Sequence, residues 1–353
     1  MIPIAKPTIG EEEIRSVMNV LRSGVIAQGP KVKEFEENFS NYIGNNFGIA
    51  TNSGTAALHV AMLAHGIGSG DEVITTPFSF IATANSIKYV GAKPVFSDIN
   101  EDYNFNIEKI AEKINDKTKA IIAVHLFGLP CDMSELNDLV EDNDLILIED
   151  CAQSHGAEYE KKKVGSYGTG CFSFYPTKNI TTSEGGMITT NDEKICERAQ
   201  MIRNHGMRKR YHHEMTGFNL RMTDIEAAIG VEQLKKLDNL NQRRIDNATY
   251  YNDSLKDIIQ IKTPVNHDDR KHVYHQYTIR VEDRDELAPY LTKKGIGSGI
   301  YYPLLIDDQF GYEKENCIQA EVIKNEVISL PVHPNVSKEN PDYIIESLEE
   351  FYA

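Results

Sequence analysis

Short apolar segments alternate with helix-like segments through the first two thirds of the chain, and this alternation restricts the possible folds more than any other feature. The apolar segments are FGIAT (47–51), EVITTP (72–77), KPVFSDI (93–99), KAIIAVHLFG (119–128) and DLILIED (144–150). Helical patterns are expected between them at about 54–65, 81–89, 106–114 and 133–141. Strands separated by helices predict βαβ units and a mostly parallel sheet that is covered by helices. We therefore expect an α/β fold whose functional residues follow the strands.

The pattern changes after about residue 190. The elements expected there are helices at 192–203, 223–258, 284–294 and 339–351 and strands at 272–281 and 296–302. We predict a large domain at 1–240, which includes the N-terminal segment. A connecting helix and a smaller α+β domain are predicted at 241–353.

Charge and composition argue against several classes of protein. A formal net charge of -16 disfavours general nucleic-acid binding, because phosphate would be repelled. The N-terminus has no apolar signal core, and no apolar stretch approaches the length of a membrane span. Five dispersed cysteines without CxxC spacing are typical of free thiols in a reducing compartment. We expect a cytoplasmic protein without a metal site, a nucleic-acid partner or a membrane partner.

The segment ATNSGTAAL (50–58) combines a strand end, a turn of small residues and a helix start. The N–H groups near Gly54 and Thr55 would point at whatever lies above the helix N-terminus. Such a terminus suits a phosphate group, because its first N–H groups lack partners inside the helix. Ser53 as a simple helix cap is the alternative.

Two further segments follow the same logic. TPFSFIATAN (76–85) places Phe80 on a strand-to-helix loop, where its ring would stack on a planar ligand or join the core. Asp150 ends a fully apolar strand, where an unpaired buried carboxylate would be costly. It needs a cationic partner, or it caps a following helix. Gln153 would point toward the same spot if a helical turn follows.

Lys178 lies in FSFYPTKNITTSEGGMITT (172–190), between an apolar run and a Gly-Gly turn. A lysine there is either surface charge or an amine held in a partly dry pocket, where desolvation favours the neutral form. Together with a phosphate cradle, a stacking ring and an acidic partner for a ring nitrogen, it matches the needs of pyridoxal 5′-phosphate.

With these segments in place, the sequence resembles the DegT/DnrJ family of nucleotide-sugar aminotransferases, which depend on pyridoxal phosphate and have fold type I. The resemblance covers essentially the whole chain. Its motifs are RSGVIAQGPKVKEFEENF, NSGTAAL, PFSFIATANSI, GAKPVFSDI, EDCAQSHGA, FSFYPTKNITTSEGGM, RNHG, GFNLRMTDIEAAIG and SLPVHP. It implies a large domain with a mostly parallel, seven-stranded type of sheet.

The resemblance also implies roles for individual residues. Lys178 would form the Schiff base with the cofactor and later move a proton, and Asp150 would pair with the pyridinium nitrogen. Gln153 would lie near the ring hydroxyl, and Phe80 would stack on the ring face. The phosphate would be held by Gly54, Thr55, Ser173 and, from the partner subunit, Asn219. A homodimer with shared active sites follows from the last of these.

The implied reaction takes nitrogen from an amino donor, expected to be glutamate, and passes it through the pyridoxamine form to a keto sugar on a nucleoside diphosphate. Some relatives are dehydratases with histidine in place of the lysine, and the presence of Lys178 argues against that chemistry. Amination of a cyclitol and a non-catalytic cofactor-binding sensor stay open as alternatives. One departure concerns substrate: the family often has YYPxPLH, and here Asp307 stands where the histidine would fall.

Overall fold

The fold was examined in a computed structural model that describes residues 1–336 and 339–353. The strands are β1 Phe47–Thr51, β2 Glu72–Thr75, β3 Lys93–Phe96, β4 Thr118–Val124, β5 Ile146–Asp150, β6 Glu158–Tyr159, β7 Lys162–Lys163, β8 Thr169–Ser173, β9 Gly186–Thr190, β10 Met207–Lys209, β11 His212–His213, β12 Arg270–Lys271, β13 Tyr277–Arg280 and β14 Val327–Leu330. The α-helices are α1 Glu11–Ser23, α2 Pro30–Ile43, α3 Gly54–His65, α4 Ala82–Tyr89, α5 Ile107–Ala111, α6 Met133–Asp142, α7 Glu193–Arg203, α8 Asp224–Leu234, α9 Leu237–Leu255, α10 Arg284–Lys293, α11 Ile318–Glu326 and α12 Glu339–Tyr352. Short 3₁₀ turns occupy Leu126–Gly128 and Ile306–Asp308.

A seven-stranded sheet in the order β1-β9-β8-β5-β4-β2-β3 forms the centre of the described chain. β9 runs antiparallel to both of its neighbours, and the other adjacent pairs are parallel. The prediction of a mostly parallel α/β sheet is confirmed. The carboxyl ends of β4, β5 and β8 lie at the same edge, as parallel strands require.

Helices cover both faces of this sheet. In β4, Ile122 packs with α3 residues such as Val60, while Ile121 packs in a second cluster with α6 residues such as Leu136. Successive side chains of a strand point to opposite faces, so a strand covered on both sides needs apolar residues at every position. This explains the unbroken apolar runs in the sequence.

The α+β section departs from expectation in three places. The helix expected at 223–258 is broken between α8 and α9, where Lys236 turns toward Glu13. The strand expected at 272–281 starts only at Tyr277, since the preceding residues bond to the turn at Leu126–Gly128. The strand expected at 296–302 was wrong: the segment makes only isolated bridges.

The predicted domain boundary at residue 240 falls inside α9, and it stays a prediction. Leu240 packs into the core of the large sheet, whereas Ala248 and Tyr251 on the same helix pack with β13 and β14. One helix therefore contributes to two apolar cores. Across the described chain, no helix combines the length and the apolar character needed to cross a membrane.

Candidate active site

A cavity of about 490 Å³ lies at the carboxyl ends of the parallel strands. Seven residues predicted from the sequence line it, namely Gly54, Thr55, Phe80, Asp150, Gln153, Ser173 and Lys178. Asn219 is not among the lining residues and forms a backbone bridge to Asn204 instead. Residues distant in sequence are thus collected at one place by strand order.

The N-terminus of α3 opens onto this cavity. Ser53 caps the helix, because its Oγ accepts from the N–H of Ala56 at 3.1 Å. The helix cap at Ser53 does not exclude a phosphate site, because the adjacent Gly54 and Thr55 line the cavity. A Cβ on Gly54 would lie 2.6 Å from Cβ of Ser173, so only glycine fits there without displacing the serine. The result is a small polar recess with helix N–H donors that suits a phosphate group.

Asp150 is buried at the end of β5 and is held by two donors. The hydroxyl of Thr83 donates to Oδ2 at 2.8 Å, and the N–H of Ala152 donates to Oδ1 at 3.2 Å. Burial raises the pKa of the carboxyl, and these two hydrogen bonds and the charge of Lys178 oppose that rise. No helix begins directly after Asp150, because the next element of the described chain is β6, so the alternative of a helix cap is wrong. The carboxylate is available for a cationic ligand atom.

Lys178 lies in a turn, with its N–H bonded to the carbonyl of Tyr175 at 2.9 Å. Its side chain is half-buried in the cavity wall. Burial lowers the pKa of its amine from 10.5 to about 8, and the charge of Asp150 opposes the shift. Desolvation therefore allows a substantial fraction of this amine to be neutral, and so nucleophilic, near physiological pH.

The Gly-Gly turn beyond Lys178 brings two chain segments together. A Cβ on Gly186 would lie 2.3 Å from the carbonyl oxygen of Ser53, which only glycine avoids. The close approach places β9 beside the start of α3.

Phe80 has 60% of its surface exposed, although it lines the cavity. The alternative that it belongs to the core is wrong. An exposed aromatic ring in the wall of this cavity is free to cover the face of a planar ligand.

The family profile of the DegT/DnrJ/EryC1/StrS aminotransferases matches residues 7–349. The chain belongs to this family. It is 40% identical over 349 residues to dTDP-3-amino-3,6-dideoxy-alpha-D-galactopyranose transaminase of Aneurinibacillus thermoaerophilus, with 97% of this chain and 96% of the relative covered. It is 37% identical over 364 residues to GDP-perosamine synthase of Escherichia coli O157:H7, covering 100% and 99%.

Among solved structures, S. venezuelae DesV in complex with a ketimine intermediate superposes with a TM-score of 0.94 at 34% identity, covering 97% of this chain and 94% of DesV. The expected fold type I architecture is confirmed. As a member of the DegT/DnrJ/EryC1/StrS family, the protein is an aminotransferase that uses pyridoxal phosphate.

The residues present fit this cofactor. The recess at Gly54 and Ser173 offers donors to a phosphate, and the exposed ring of Phe80 offers a face. Asp150 offers a buried anion with its hydrogen-bonding partners already in place. Lys178 offers an amine with a lowered pKa.

The departure from the family's YYPxPLH motif has a structural meaning. Asp307 is buried, and its Oδ2 accepts from the N–H of Glu315 at 3.0 Å. It does not appear in the cavity wall, whereas Tyr301 and Tyr302 of the same segment do. In this structure Asp307 therefore bonds to the chain at Glu315 and is not presented to the cavity.

Sequence reasoning missed three residues of the site. Thr83 supports Asp150, while Tyr302 and His275 come from the C-terminal part of the chain and line the cavity. Thr83 stands within the quoted segment TPFSFIATAN, so a buried hydroxyl one turn after Phe80 was a usable signal. The other two are brought in by tertiary packing: Tyr302 belongs to the YYP run of the family motif, which by itself assigned it no role, and nothing in its local sequence marked His275.

A buried cluster of His125, Glu149 and Cys151 lies beside the site, with its potential ligand atoms within 4.8 Å of one another. Both oxygens of Glu149 are occupied, because Oε1 accepts from Tyr167 and Gly168 and Oε2 accepts from Gly165 and His125. Burial raises the pKa of Glu149, but the bonds from His125 and the backbone outweigh it and keep the pKa below its usual range. The carboxylate organises the loop before β8 rather than presenting free lone pairs.

Proposed function

We propose that this aminotransferase moves an amino group from L-glutamate to the keto carbon of a nucleoside-diphosphate sugar, in aminosugar biosynthesis. The observation that carries the proposal is the convergence of Lys178 and Asp150 on one cavity with the recess at Gly54 and Ser173. The two relatives named above act on GDP-linked and dTDP-linked sugars by their names, which supports a sugar nucleotide as the substrate class.

Bound pyridoxal phosphate would supply a carbonyl carbon for amine exchange and a protonated ring nitrogen that withdraws electrons from the reacting carbon. Asp150 would keep that ring nitrogen protonated by remaining ionised next to it. The Thr83 hydroxyl and the Ala152 N–H orient the carboxylate and favour its charged form. Gly54, Thr55 and Ser173 would bind the phosphate, and Gln153 and Phe80 would bind the ring.

Lys178 would act twice through the same atom. Its Nζ would first hold the cofactor in place. Once displaced by an amino substrate, Nζ would be a free amine with a lowered pKa. It could then take a proton from the substrate carbon and deliver it to a neighbouring atom. The half-buried position limits competing protons from water.

We also propose that the enzyme is a homodimer with shared active sites. Asn219, expected to reach a phosphate, lies outside the cavity of its own chain. Phe80 and Tyr175 line the cavity with 60% and 49% of their surfaces exposed, so a second subunit would have apolar surface to cover. Asn219 would therefore serve the cavity of the partner.

The proposed location is the cytoplasm. All five cysteines are free and buried, and they are Cys131, Cys151, Cys171, Cys196 and Cys317. Free thiols are typical of proteins kept in a reducing compartment. Sugar nucleotides as substrates agree with that location.

The first test is the absorbance spectrum of the purified protein with pyridoxal phosphate, before and after addition of glutamate. We expect a visible band from the lysine-bound cofactor that disappears with glutamate, and no such band in Lys178→Ala. Lys33→Ala, which changes an exposed lysine on α2, is the matched control and should behave as wild type. The aminated enzyme is then mixed with GDP- and dTDP-linked keto sugars, and mass spectrometry follows the product.

The outcomes separate the alternatives. If glutamate leaves the band unchanged and another amino acid removes it, that amino acid is the donor instead of glutamate. If neither sugar nucleotide gives a product and a keto cyclitol does, the acceptor is a cyclitol instead of a nucleotide sugar. Binding without any exchange would indicate a sensor, and a missing band would contradict the assignment of Lys178.

A further inference from the structure

We infer that Tyr302 is a positioning residue that holds the amide of Gln153 in the orientation needed to donate to the ring oxygen of the cofactor. This inference rests on the proposed function, because it takes from it that Gln153 faces that oxygen. Tyr302 belongs to the C-terminal part of the chain and Gln153 to the large sheet's loops, so their contact also joins the two parts of the molecule.

The orientation of the Gln153 amide follows from its partners. The backbone N–H of Phe127 donates to Oε1 at 2.8 Å, and a backbone N–H is only a donor. The oxygen must therefore face Phe127. Nε2 then donates to the Tyr302 hydroxyl at 2.8 Å. A primary amide has two N–H groups, so one N–H remains for a ligand in the cavity that both residues line.

Tyr302 is itself firmly placed. Its ring lies parallel to that of Phe127, at 10° with 6.4 Å between centroids, and edge-on to Phe78 at 5.8 Å. Its backbone has a φ of 64°, which bulky residues rarely adopt, and Phe127 has a φ of 55°. Unfavourable backbone angles persist where the surroundings enforce them, and they concentrate at functional sites.

The chain is anchored on both sides of Tyr302. Before it, Gly299 exchanges two backbone hydrogen bonds with Ser329 of β14. After it, the N–H of Ile306 donates to the carbonyl of Pro77 at 2.9 Å, on the loop that carries Phe80. The hydroxyl is thus delivered to Gln153 by a segment tied to both parts of the protein.

Removal of this hydroxyl should free the Gln153 amide to rotate. Its remaining N–H would then donate less well to the ring oxygen. A hydrogen bond to that oxygen stabilises the cofactor form with one proton fewer, because that form carries more negative charge on the oxygen. Weakening the bond should therefore raise the pH at which the bound cofactor loses its proton.

The experiment is a pH titration of the visible absorbance of the cofactor-loaded enzyme. In Tyr302→Phe we expect the midpoint to rise by roughly half a unit to one unit. Tyr103→Phe is the matched control, because its buried hydroxyl bonds to the carbonyl of Thr278 and its ring packs on the same Phe127. Its midpoint should stay that of wild type.

A second pair of variants tests whether Tyr302 acts through Gln153. In a Gln153→Ala background, Tyr302→Phe should add no further shift, since its partner is already gone. An unchanged midpoint in Tyr302→Phe, even with a lower melting temperature, would overturn the inference and leave only a structural role. A shift of equal size in the Gln153→Ala background would overturn it as well. If wild type shows no lysine-bound cofactor band, the proposed function itself fails, which is a distinct result.

Discussion

Thr83 donates its hydroxyl proton to Oδ2 of Asp150 at 2.8 Å. Thr83 lies in the first turn of α4, which follows β2, and Asp150 is the last residue of β5, so the two meet only because the sheet order brings β2 and β5 within reach of each other. The hydroxyl also contacts Ser79 Oγ at 3.1 Å. Thr83, which has no catalytic role of its own, thereby stabilises the charge of Asp150, for which a catalytic role is expected.

Replacement of Thr83 by valine keeps the shape of the side chain and removes this donor. Burial already raises the pKa of Asp150, and the Thr83 bond opposes it, so its loss should raise the pKa further. Because Asp150 must be ionised, the acid limb of the kcat profile should move up by roughly one unit, with roughly tenfold lower kcat near neutral pH.

The control for this prediction is Thr83→Ser, which retains the hydroxyl and should restore the acid limb. Steady-state rates measured across the pH range provide the comparison. An acid limb that stays at the wild-type position in Thr83→Val would contradict the proposed support of Asp150.

Replacement of Gly54 by alanine should reduce cofactor affinity. The added Cβ would lie 2.6 Å from Cβ of Ser173, so the serine or the helix start must move. Overpacking of this kind costs about 1–3 kcal/mol, which corresponds to roughly 5- to 150-fold weaker binding. Gly68→Ala is the matched control, since its nearest neighbour is at 3.7 Å. Equal cofactor affinity of both variants, measured by equilibrium titration, would contradict the phosphate recess.

The lowered pKa of Lys178 predicts a pH-dependent stability of the cofactor-free protein. Between pH 8 and 10.5 the unfolded chain retains the proton and the folded chain does not, so the free energy of unfolding should rise with pH in that window. Lys178→Met lacks the buried charge and should be more stable than wild type at pH 7, by about 1–3 kcal/mol. Urea unfolding at pH 7 and pH 10 provides the test, and a difference that does not shrink at pH 10 would contradict the shift.

Glu149→Gln should lower stability strongly. The glutamine would place an NH₂ group opposite donors that now point at a carboxylate oxygen, and it would remove the charge beside His125. Loss of one partner in a buried charged network costs about 3–5 kcal/mol. Glu141→Gln on the exposed end of α6 is the control. The free energies of unfolding of the two variants, measured in urea, should differ by at least about 1.5 kcal/mol, which is half of the lower value. Near-equal free energies would show that the network contributes little.

Five of the seven strands of the large sheet could be predicted, because each of the five is a short apolar segment that is visible in the local sequence. The runs around Ile122 and Ile148 are apolar at every position, which only a doubly covered strand requires. The prediction failed at the segment around Tyr302, where a short apolar run suggested a strand. In the structure this segment is bent by the positive φ of Tyr302 and is held by hydrogen bonds to β14 and to the loop at Pro77. Contacts between distant segments override local preference there.

The same distinction applies to the site. Asp150 ends a strand, Gly54 begins a helix and Lys178 lies in the connection between β8 and β9. Such positions can be recognised in the sequence because the topology of the sheet fixes where they meet. Thr83 and Tyr302 act through the residues they contact, and their partners are 67 and 149 positions away. Their pairing with Asp150 and Gln153 is seen only in the packed structure.

The proposed shared site makes a prediction for mixed dimers. If Asn219 serves the cavity of the partner subunit, a dimer of one Lys178→Ala chain and one Asn219→Ala chain contains one doubly defective site and one intact site. Random exchange of the two inactive homodimers makes about half of the dimers mixed, and each mixed dimer has one intact site of two, so about a quarter of the wild-type activity should return. If Asn219 acts within its own chain, every site in the mixed dimer is defective and no activity returns. Native mass spectrometry confirms that mixed dimers have formed, and their inactivity would contradict the shared site.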